Sequence, residues 1–269
     1  MLRPLNERLT LAAMERQGMV ERAARVLRIL SQFRSGGAST SQVACTSGLP
    51  RPTVHRLLTA LYREGFTDRD NKTGAWYLGP ELFVLGSTAA TRYDLADLAW
   101  PHVKALAAAT GESAFFSARR GDETVCLLRE DGAFPIRSFV LFEGARFPLG
   151  VVSAGQVVLA HLPDREIDDY LNRVDLTTDF GEQHTVSAVW ERIRQTRADG
   201  YSTNPGLVIE GSWGMAAAVF DQRDRPEWAL TLTGIEARFH TDRRRELGAL
   251  LLKHAHSLGK ALRTRRTPG

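Results

Sequence analysis

The chain has 269 residues, of which 43% are hydrophobic and 25% are charged, a composition typical of a folded protein of about two domains. It excludes a disordered chain, a collagen and a continuous coiled coil, and no apolar run reaches the roughly 18 residues that a membrane-spanning helix needs. Two cysteines, Cys45 and Cys126, are too few for a disulfide framework or a four-cysteine metal site. Because the first residues also lack the apolar core of a signal peptide, we expect a cytoplasmic protein without a metal, a cofactor or a membrane partner.

The positive charge of the chain is concentrated in its first third. Residues 1–79 contain 12 Lys and Arg against 6 Asp and Glu, a net charge of +6, whereas the other 190 residues contain 23 against 25, a net charge of −2. This asymmetry favours a polyanion-binding module joined to a neutral one. The alternative is an ordinary solvated face, and charge alone does not decide between them.

Three helices are predicted in the basic segment. Apolar residues from Val20 to Phe33 recur at helical spacing, and Gly36 and Gly37 end this first helix. The pattern Ser39-Thr40-Ser41-Gln42 is a capping box that begins a short second helix, which Gly48 ends. A third helix opens around Pro52, a residue that suits the first helical turn.

The third helix carries the strongest functional signal of the chain. Val54, Leu57, Leu58 and Leu61 share one face, so the polar residues lie on the other. Two short helices joined by a tight turn, the second with a polar outer face, have the geometry that places a recognition helix in the major groove of DNA. The alternative is a helical hairpin whose arginines are merely solvated.

A β-hairpin is predicted directly after this helix, over residues 66–78, with a polar turn at 70–74 and with Trp76 and Leu78 on one face. Behind a recognition helix such a hairpin is a wing. We expect Arg69 and Lys72, near its tip, to contact phosphates, which fixes the orientation of the protein on DNA without reading sequence. Together these elements predict the following DNA-binding residues: Thr40, Ser41, Arg51, Thr53, His55, Arg56, Thr59, Arg63, Arg69 and Lys72.

The run RPTVHRLLTALYREGFTDRDNKTGAWYLG, within residues 20–79, resembles the N-terminal domain of the IclR family of bacterial transcriptional regulators. The resemblance implies a winged helix-turn-helix domain over residues 1–79 and a double-stranded operator as its partner. It also implies a homodimer or homotetramer, which agrees with the argument that one small module reads too few base pairs to be selective.

A linker helix is predicted over residues 80–109. Leu82, Leu85 and Ala89 follow helical spacing, and a second amphipathic stretch covers residues 95–109. Pro101 is expected to break or restart this helix near Trp100. An apolar helix behind a small DNA-binding module favours self-association, and the alternative is packing within its own chain.

Residues 110–269 are predicted to form a domain of mixed strands and helices, which makes the whole chain an α+β protein. Strands are predicted at residues 113–118, 124–128, 136–141, 215–220 and 228–233, and helices at residues 157–162, 188–199 and 242–262.

Three further runs, GARFPLGVVSAGQVVLAHL, RADGYSTNPGLVIEGSWGMAAAVFD and ALTLTGIEARF, look like signatures of the effector domain of the same family. The resemblance implies a GAF-like domain that binds a small organic acid and changes the DNA binding of the oligomer.

The start of the first C-terminal helix is a physical candidate for the acid site. Ser153 is predicted to cap this helix with Gln156 three residues on, so that the amides of Ala154 and Gly155 point outward at the positive end of the helix dipole. A plain capped helix is the alternative. Thr231 and Thr233 share one strand face and offer two hydroxyl groups.

Alignment with acid-binding members of the family implies pocket positions at Ser153, Ala154, Asn204, Gly214, Thr231 and Thr233. Asn204 is often acidic in the family and Gly214 often larger, which leaves the ligand open; a glycine at 214 makes room for an aromatic acid. Trp213 and Phe115 are candidates for the pocket wall and equally for the core. The predicted effector-binding residues are thus Ser153, Ala154, Gly155, Asn204, Trp213, Gly214, Thr231 and Thr233.

No catalytic residues are predicted. The run around Ser153 lacks the glycine two residues before the serine of a nucleophile elbow, and the histidines have no metal-ligand spacing. The leading hypothesis is a ligand-responsive transcriptional regulator that represses a catabolic operon. Two alternatives stay open at this stage: an enzyme fused to a DNA-binding domain, with Ser153 or Cys126 reactive, and a constitutive DNA-binding protein without an effector.

Overall fold

A computed structural model describes residues 18–33, 36–90 and 95–264. The chain divides into two compact units, residues 1–93 and 94–269. Each unit is built around its own hydrophobic core.

Within the described part of the first unit the elements are α1 (Met19–Gln32), α2 (Thr40–Ser47), α3 (Arg51–Arg63), β1 (Thr67–Arg69), β2 (Trp76–Leu78) and α4 (Pro80–Ala90). The two strands pair antiparallel, with Thr67 opposite Leu78 and Arg69 opposite Trp76. This is the predicted helix-turn-helix followed by its wing.

Local sequence signals explain where these helices begin and end. The Ser39 hydroxyl accepts from the backbone N–H of Gln42, whose side chain in turn accepts from the N–H of Ser39, so both halves of the capping box form. Gly48 follows α2 with φ 67°, a left-handed conformation that favours glycine. Pro52 lies in the first turn of α3.

The core of the first unit comes from one face of each helix and from the wing. Val26, Leu30, Val43, Val54 and Leu58 are buried together with Trp76 of β2. Leu78 does not share this burial, because 41% of it remains exposed; the wing is anchored by Trp76.

Within residues 95–264, one six-stranded antiparallel sheet forms the centre of the second unit. Its strands are β3 (Ser113–Arg120), β4 (Glu123–Glu130), β5 (Arg146–Pro148), β6 (Ser202–Pro205), β7 (Ser212–Phe220) and β8 (Pro226–Ile235). They follow the order β5-β4-β3-β8-β7-β6. The α+β class predicted from the sequence is confirmed.

Helices cover both faces of this sheet. The helices of the second unit are α5 (Leu95–Thr110), α6 (Ser153–Ala160), α7 (Asp164–Arg173), α8 (Thr177–Phe180), α9 (Val186–Asp199) and α10 (Thr241–Thr264). One face packs on α6 and α9, and the other on α5 and α10. The strands in the middle of the sheet are therefore buried on both sides.

The linker predicted over residues 80–109 contains the helices α4 and α5, which correspond to its two predicted amphipathic stretches. The expected break at Pro101 is wrong, since Pro101 lies inside α5. Ala99, Val103 and Leu106, spaced by four and three residues, are buried against α10 and the sheet, and Pro101 lies on the exposed side. Burial of that face offsets the hydrogen bond that proline cannot make.

Other predicted elements also need correction. Residues 136–141 form an irregular segment and no strand, with Ile136 and Phe139 exposed. Helix α6 begins at Ser153, four residues before the predicted start. The short strands β5 and β6 were not predicted, because three or four residues give little periodic signal. The helix α7 was also missed, although Ile167, Tyr170 and Leu171 follow helical spacing and are buried.

Candidate nucleic-acid interface and small-molecule pocket

Helix α3 presents a polar face away from the core of the first unit. Val54, Leu57 and Leu58 are buried, whereas Arg56 is exposed and Thr59 is half-buried on the other side. The remaining predicted contact residues of this helix are placed as follows: Arg51, His55 and Arg63 are exposed, and Thr53 is half-buried. The polar face of α3 can therefore enter a major groove without rearrangement of the helix.

The beginning of α2 adds donors on another element of the same unit. Thr40 and Ser41 lie in the first turn, where backbone N–H groups have no intrahelical acceptor. Ser41 is exposed and Thr40 is half-buried. Helix N-termini of this kind bind phosphate through N–H groups and the helix dipole.

The wing carries the two remaining predicted DNA-binding residues, Arg69 at the end of β1 and Lys72 in the turn. The Asp70 carboxylate accepts from the backbone N–H groups of Lys72 and Thr73, both at 2.7 Å, and these bonds lower the pKa of Asp70. The turn therefore keeps a fixed shape, with Lys72 exposed at its tip. Arg69 is exposed as well, and its guanidinium lies 5.1 Å from the centre of the Trp76 ring.

Cys45 is exposed on α2. It lies two residues after the buried Val43, and so on another side of the helix.

The second unit contains a small cavity, partly open to solvent, between β6, β7, β8 and the start of α6. Its lining is Val140, Leu141, Val152, Ser153, Ala154, Asn204, Val208, Ile209, Ser212, Trp213, Gly214, Thr231 and Thr233. Seven of the eight predicted effector-binding residues are on this list. The space that the centre of a water-sized sphere can reach inside it is about 20 Å³, so a ligand of more than a few atoms requires the lining to open.

The start of α6 differs from the prediction in one detail. Val152 is the N-cap, with an extended backbone at φ −98° and ψ 162°, and Ser153 is the first helical residue. Its hydroxyl therefore makes no capping bond, and Gln156 instead donates its side-chain amide to Thr196 at 3.1 Å. The amides of the first turn still have no intrahelical acceptor, so this end of the helix suits an anion.

Gly155 does not line the cavity. It lies against the preceding loop, where a Cβ would come within 3.1 Å of the Pro148 carbonyl oxygen and 3.2 Å of the Leu149 Cα. Gly155 thus allows close packing of α6 on its own entry loop, and Ser153 and Ala154 face the cavity.

Two side chains bind the backbone of the loop that precedes α6, at residues 150–151. Asn204 donates to the Val151 carbonyl at 2.7 Å and accepts from the Leu207 N–H at 3.1 Å. Arg192 donates to the Gly150 carbonyl at 3.3 Å. The nearby His184 is buried, and burial, followed by the charge of Arg192, lowers its pKa.

Thr231 and Thr233 on β8 face the cavity with hydroxyl groups that are buried but have no hydrogen-bond partner among the described residues. A buried hydroxyl without a partner costs about 1–3 kcal/mol. Because both threonines line the cavity, their hydroxyls are available to a group that enters it.

Trp213 contributes to the cavity wall, but its indole packs on the opposite face of the sheet. There it stacks on Phe239, with ring centres 6.2 Å apart, and lies under the guanidinium of Arg244. Neighbouring strand residues point to opposite faces, so Gly214 and not Trp213 faces the cavity. Phe115 is fully buried in the core and does not line the cavity.

Ser153 packs closely against Gly214. A Cβ at position 214 would lie 2.9 Å from the Ser153 Oγ, closer than real Cβ contacts come. Glycine therefore allows β7 to approach the start of α6, and it does not open free space for a ring.

Sequence reasoning missed the apolar lining. Val140 and Leu141 come from the irregular segment after β4, and Val208 and Ile209 from the loop after β6. Neither segment has a periodic pattern that would have placed it over the sheet.

In the part of the chain that the structure describes, no cluster of three His, Cys, Asp or Glu side chains has the arrangement of a metal site. None of the helices in residues 18–33, 36–90 and 95–264 combines the length and hydropathy needed to cross a bilayer. Burial raises the pKa of the Cys126 thiol to about 12, so this thiol stays protonated and unreactive at neutral pH.

A basic winged helix-turn-helix unit, joined in one chain to an α+β unit that contains a cavity, defines a transcriptional regulator. Comparison with known families matches residues 19–71 to the IclR helix-turn-helix domain and residues 87–260 to the C-terminal domain described as bacterial transcriptional regulator IclR. The chain therefore belongs to the IclR family, as its resemblance predicts. It is a DNA-binding regulator and not an enzyme.

Individual relatives agree with this assignment along most of the chain. The transcriptional repressor IclR of Escherichia coli K12 is 27% identical over 88% of this chain and 88% of its own length. The repressor AllR of Klebsiella pneumoniae is 28% identical over 90% of this chain and 89% of its own. An IclR homologue from Microbacterium hydrocarbonoxydans, solved in complex with 4-hydroxybenzoate, shares the fold with a TM-score of 0.72 at 20% identity, over 92% of this chain and all of its own.

Proposed function

We propose that this protein is a repressor that binds a near-palindromic operator as a homodimer or higher homo-oligomer and responds to a small organic acid in the cavity of its second unit. The observation that carries the sensor part is the pair of buried, unpartnered hydroxyls of Thr231 and Thr233. Binding to chromosomal DNA implies a cytoplasmic location.

The polar face of α3 supports the DNA-binding part of the proposal at residue level. The exposed guanidinium of Arg56 is long enough to bond guanine bidentately in the major groove. Thr40, Ser41, Arg69 and Lys72 bind the flanking phosphates, which supply affinity and orientation.

An apolar stretch on α4 supports self-association. Phe83 is 79% exposed, and the neighbouring Val84 and Leu85 are 55% and 47% exposed. Apolar side chains of this size, adjacent on one helix, mark an interface more often than a solvated surface. We infer that the partner is a second copy of this chain, because a twofold dimer also reads two half-sites of the operator.

The chemistry of the cavity supports a carboxylate as the effector. Its lining includes no Lys or Arg among the described residues, so the start of α6 is the positive group that faces it. The carboxylate lies at Ser153 and Ala154, and a second polar group of the effector bonds Thr231 and Thr233.

The apolar part of the lining supports a flat aromatic acid as one effector class. Valine, leucine and isoleucine side chains line the rest of the cavity and suit an aromatic ring. The Microbacterium hydrocarbonoxydans homologue was solved with such an acid, 4-hydroxybenzoate.

The repressor role follows the names of the relatives in Escherichia coli and Klebsiella pneumoniae. We expect the operator to control genes of a catabolic operon that degrades the effector.

The proposal is tested with the full-length protein. Selection from a random-sequence duplex library identifies the operator, and calorimetry with benzoate, 4-hydroxybenzoate and short aliphatic hydroxy and keto acids identifies the effector class. We expect at least one acid to bind and to change operator affinity about 5- to 150-fold. If no acid on the panel changes operator binding, the protein binds DNA constitutively.

Replacement of Phe83 by Asp tests self-association and is expected to dissociate the dimer, as measured by sedimentation velocity.

A further inference from the structure

Trp76 lies where the wing of the first unit meets α2 and α3. It is 2% exposed, and its backbone exchanges two hydrogen bonds of 2.8 and 2.9 Å with Ala38, just before α2. His55 and Tyr62 of α3 contact the ring edge-on, with ring centres 6.4 and 6.2 Å away. The indole is therefore fixed in place by three elements.

The polar edge of this indole acts on α2. The Trp76 Nε1–H donates to the Thr40 hydroxyl at 3.0 Å. A hydroxyl that accepts such a bond keeps its own proton to donate elsewhere, and the bond received strengthens the one given. Thr40 is the first residue of α2, so its proton is available beside the free backbone amides of the first turn.

The ring of the same indole acts on the wing. Arg69 lies opposite Trp76 in the strand register, and its guanidinium carbon is 5.1 Å from the ring centre. An arginine that rests on an aromatic ring loses freedom, while its N–H groups remain available at the edge of the guanidinium plane.

We propose that Trp76 is a positioning residue for DNA binding, because one indole orients two phosphate-binding groups: the Thr40 hydroxyl on α2 and the Arg69 guanidinium on the wing. This inference rests on the proposed function, in which both residues contact DNA. It predicts that Trp76, which does not itself reach the surface, changes operator affinity through these two residues.

The test uses full-length variants and measures operator affinity across a salt series. Thr40→Val and Trp76→Phe remove opposite ends of one hydrogen bond, and each is expected to weaken binding about 5- to 30-fold with the salt slope unchanged. The double variant is expected to bind no more than twofold weaker than either single variant, because the two changes break the same link. Thr40→Ser, which keeps the hydroxyl, is expected to recover most of the affinity that Thr40→Val loses.

A second pair of variants tests the action on the wing. Arg69→Ala is expected to lower the salt slope by about one, and Trp76→Leu, which removes both the N–H and the ring, to lower it toward the same value. Trp100→Phe in the second unit is the control for a tryptophan exchange. Circular dichroism verifies that each variant is folded under the conditions of the titration.

The outcomes separate this inference from the proposed function. If Thr40→Val and Arg69→Ala both bind like the wild type, the phosphate contacts themselves are wrong. If they weaken binding while Trp76→Phe does not, or if Trp76→Phe and Thr40→Val add in full, Trp76 has only a structural role. Should Trp76→Phe not fold, nuclear magnetic resonance of the wild type and Thr40→Val decides: an indole N–H whose exchange is unchanged by Thr40→Val overturns the inference.

Discussion

The side-chain amide of Asn204 donates a 2.7 Å hydrogen bond to the carbonyl of Val151, the residue before the N-cap of α6. The same side chain accepts from the backbone of Leu207, in the loop that carries part of the cavity lining. Asn204 therefore connects two walls of the cavity. Its role is to position them, because its amide donates to one wall and accepts from the other, whereas a carboxylate could only accept.

Replacement of Asn204 by Asp should disturb both walls. The carboxylate has no N–H for the Val151 carbonyl, so two acceptors face each other in a buried site, and we expect the free energy of unfolding to fall by about 1–3 kcal/mol. Urea unfolding measures this loss, and calorimetry measures the accompanying loss of effector affinity. The matched control is Asn172→Asp on the exposed side of α7, which should stay within about 0.5 kcal/mol of the wild type. Equal stability of the two variants would show that the bond to Val151 is dispensable.

Removal of the hydroxyls of Thr231 and Thr233 should have opposite effects on the stability of the protein and on its affinity for the effector. Thr231→Val and Thr233→Val keep the shape of the side chain and remove a buried hydroxyl without a partner, so the unliganded protein should be unchanged or more stable by about 1 kcal/mol. Effector affinity should fall at the same time. Urea unfolding without ligand and calorimetry with the effector measure the two quantities.

Thr196→Val is the control for the threonine exchanges. Its hydroxyl accepts from the Gln156 side chain at 3.1 Å, so its loss should destabilise the protein and should not affect the effector directly. Destabilisation of similar size in all three variants would mean that the hydroxyls of Thr231 and Thr233 have partners inside the protein.

Local signals in the sequence predict the first unit well. The capping box of Ser39 and Gln42 and the left-handed Gly48 act through residues at most three apart, and both form as predicted. Thr231 and Thr233 are also placed together, because side chains alternate along a strand whatever the rest of the fold does.

The rest of the cavity depends on contacts between residues far apart in sequence. The same alternation puts Trp213 and Gly214 on opposite faces, but β7 is buried on both sides, so its sequence shows no apolar-polar pattern that tells which face meets the cavity. Val140 and Val208 reach the cavity from loops whose course is set by packing. The capping role expected of Ser153 failed because Val152, with an extended backbone, occupies the cap position.

Arg56 should determine which sequence the protein prefers. It is exposed on the face of α3 opposite the buried Leu57 and Leu58, and a bidentate contact to a base is worth about 1–3 kcal/mol. Arg56→Ala should therefore weaken binding to the selected operator by this amount and relax its base preference, while effector affinity stays the same. Arg165→Ala, an equal loss of charge on an exposed position of α7, is the control. Unchanged base preference would remove α3 from the recognition role.

Lys72 should contribute to the affinity for DNA and not to the preference for a base sequence. It is exposed at the tip of the wing, in a turn held by Asp70, and a phosphate contact there releases about one counterion. Lys72→Ala is expected to weaken operator and random DNA by similar factors and to lower the salt slope by about one. Filter binding across a salt series measures both. A loss confined to the operator would show that Lys72 contacts a base.

The buried His184 predicts a stability that falls in mild acid. Burial, and after it the charge of Arg192, lowers its pKa in the folded state below the ordinary value of 6.5, so the unfolded chain binds a proton that the folded protein excludes. This contribution is fully present above pH 6.5 and is lost as the pH falls from there toward the lowered pKa. The free energy of unfolding in urea should thus be smaller at pH 5.5 than at pH 7.5. His184→Gln, which can still donate to the Phe180 carbonyl, should reduce this difference, whereas the same exchange at the exposed His240 should not. An unaltered pH dependence in His184→Gln would assign the effect to other groups.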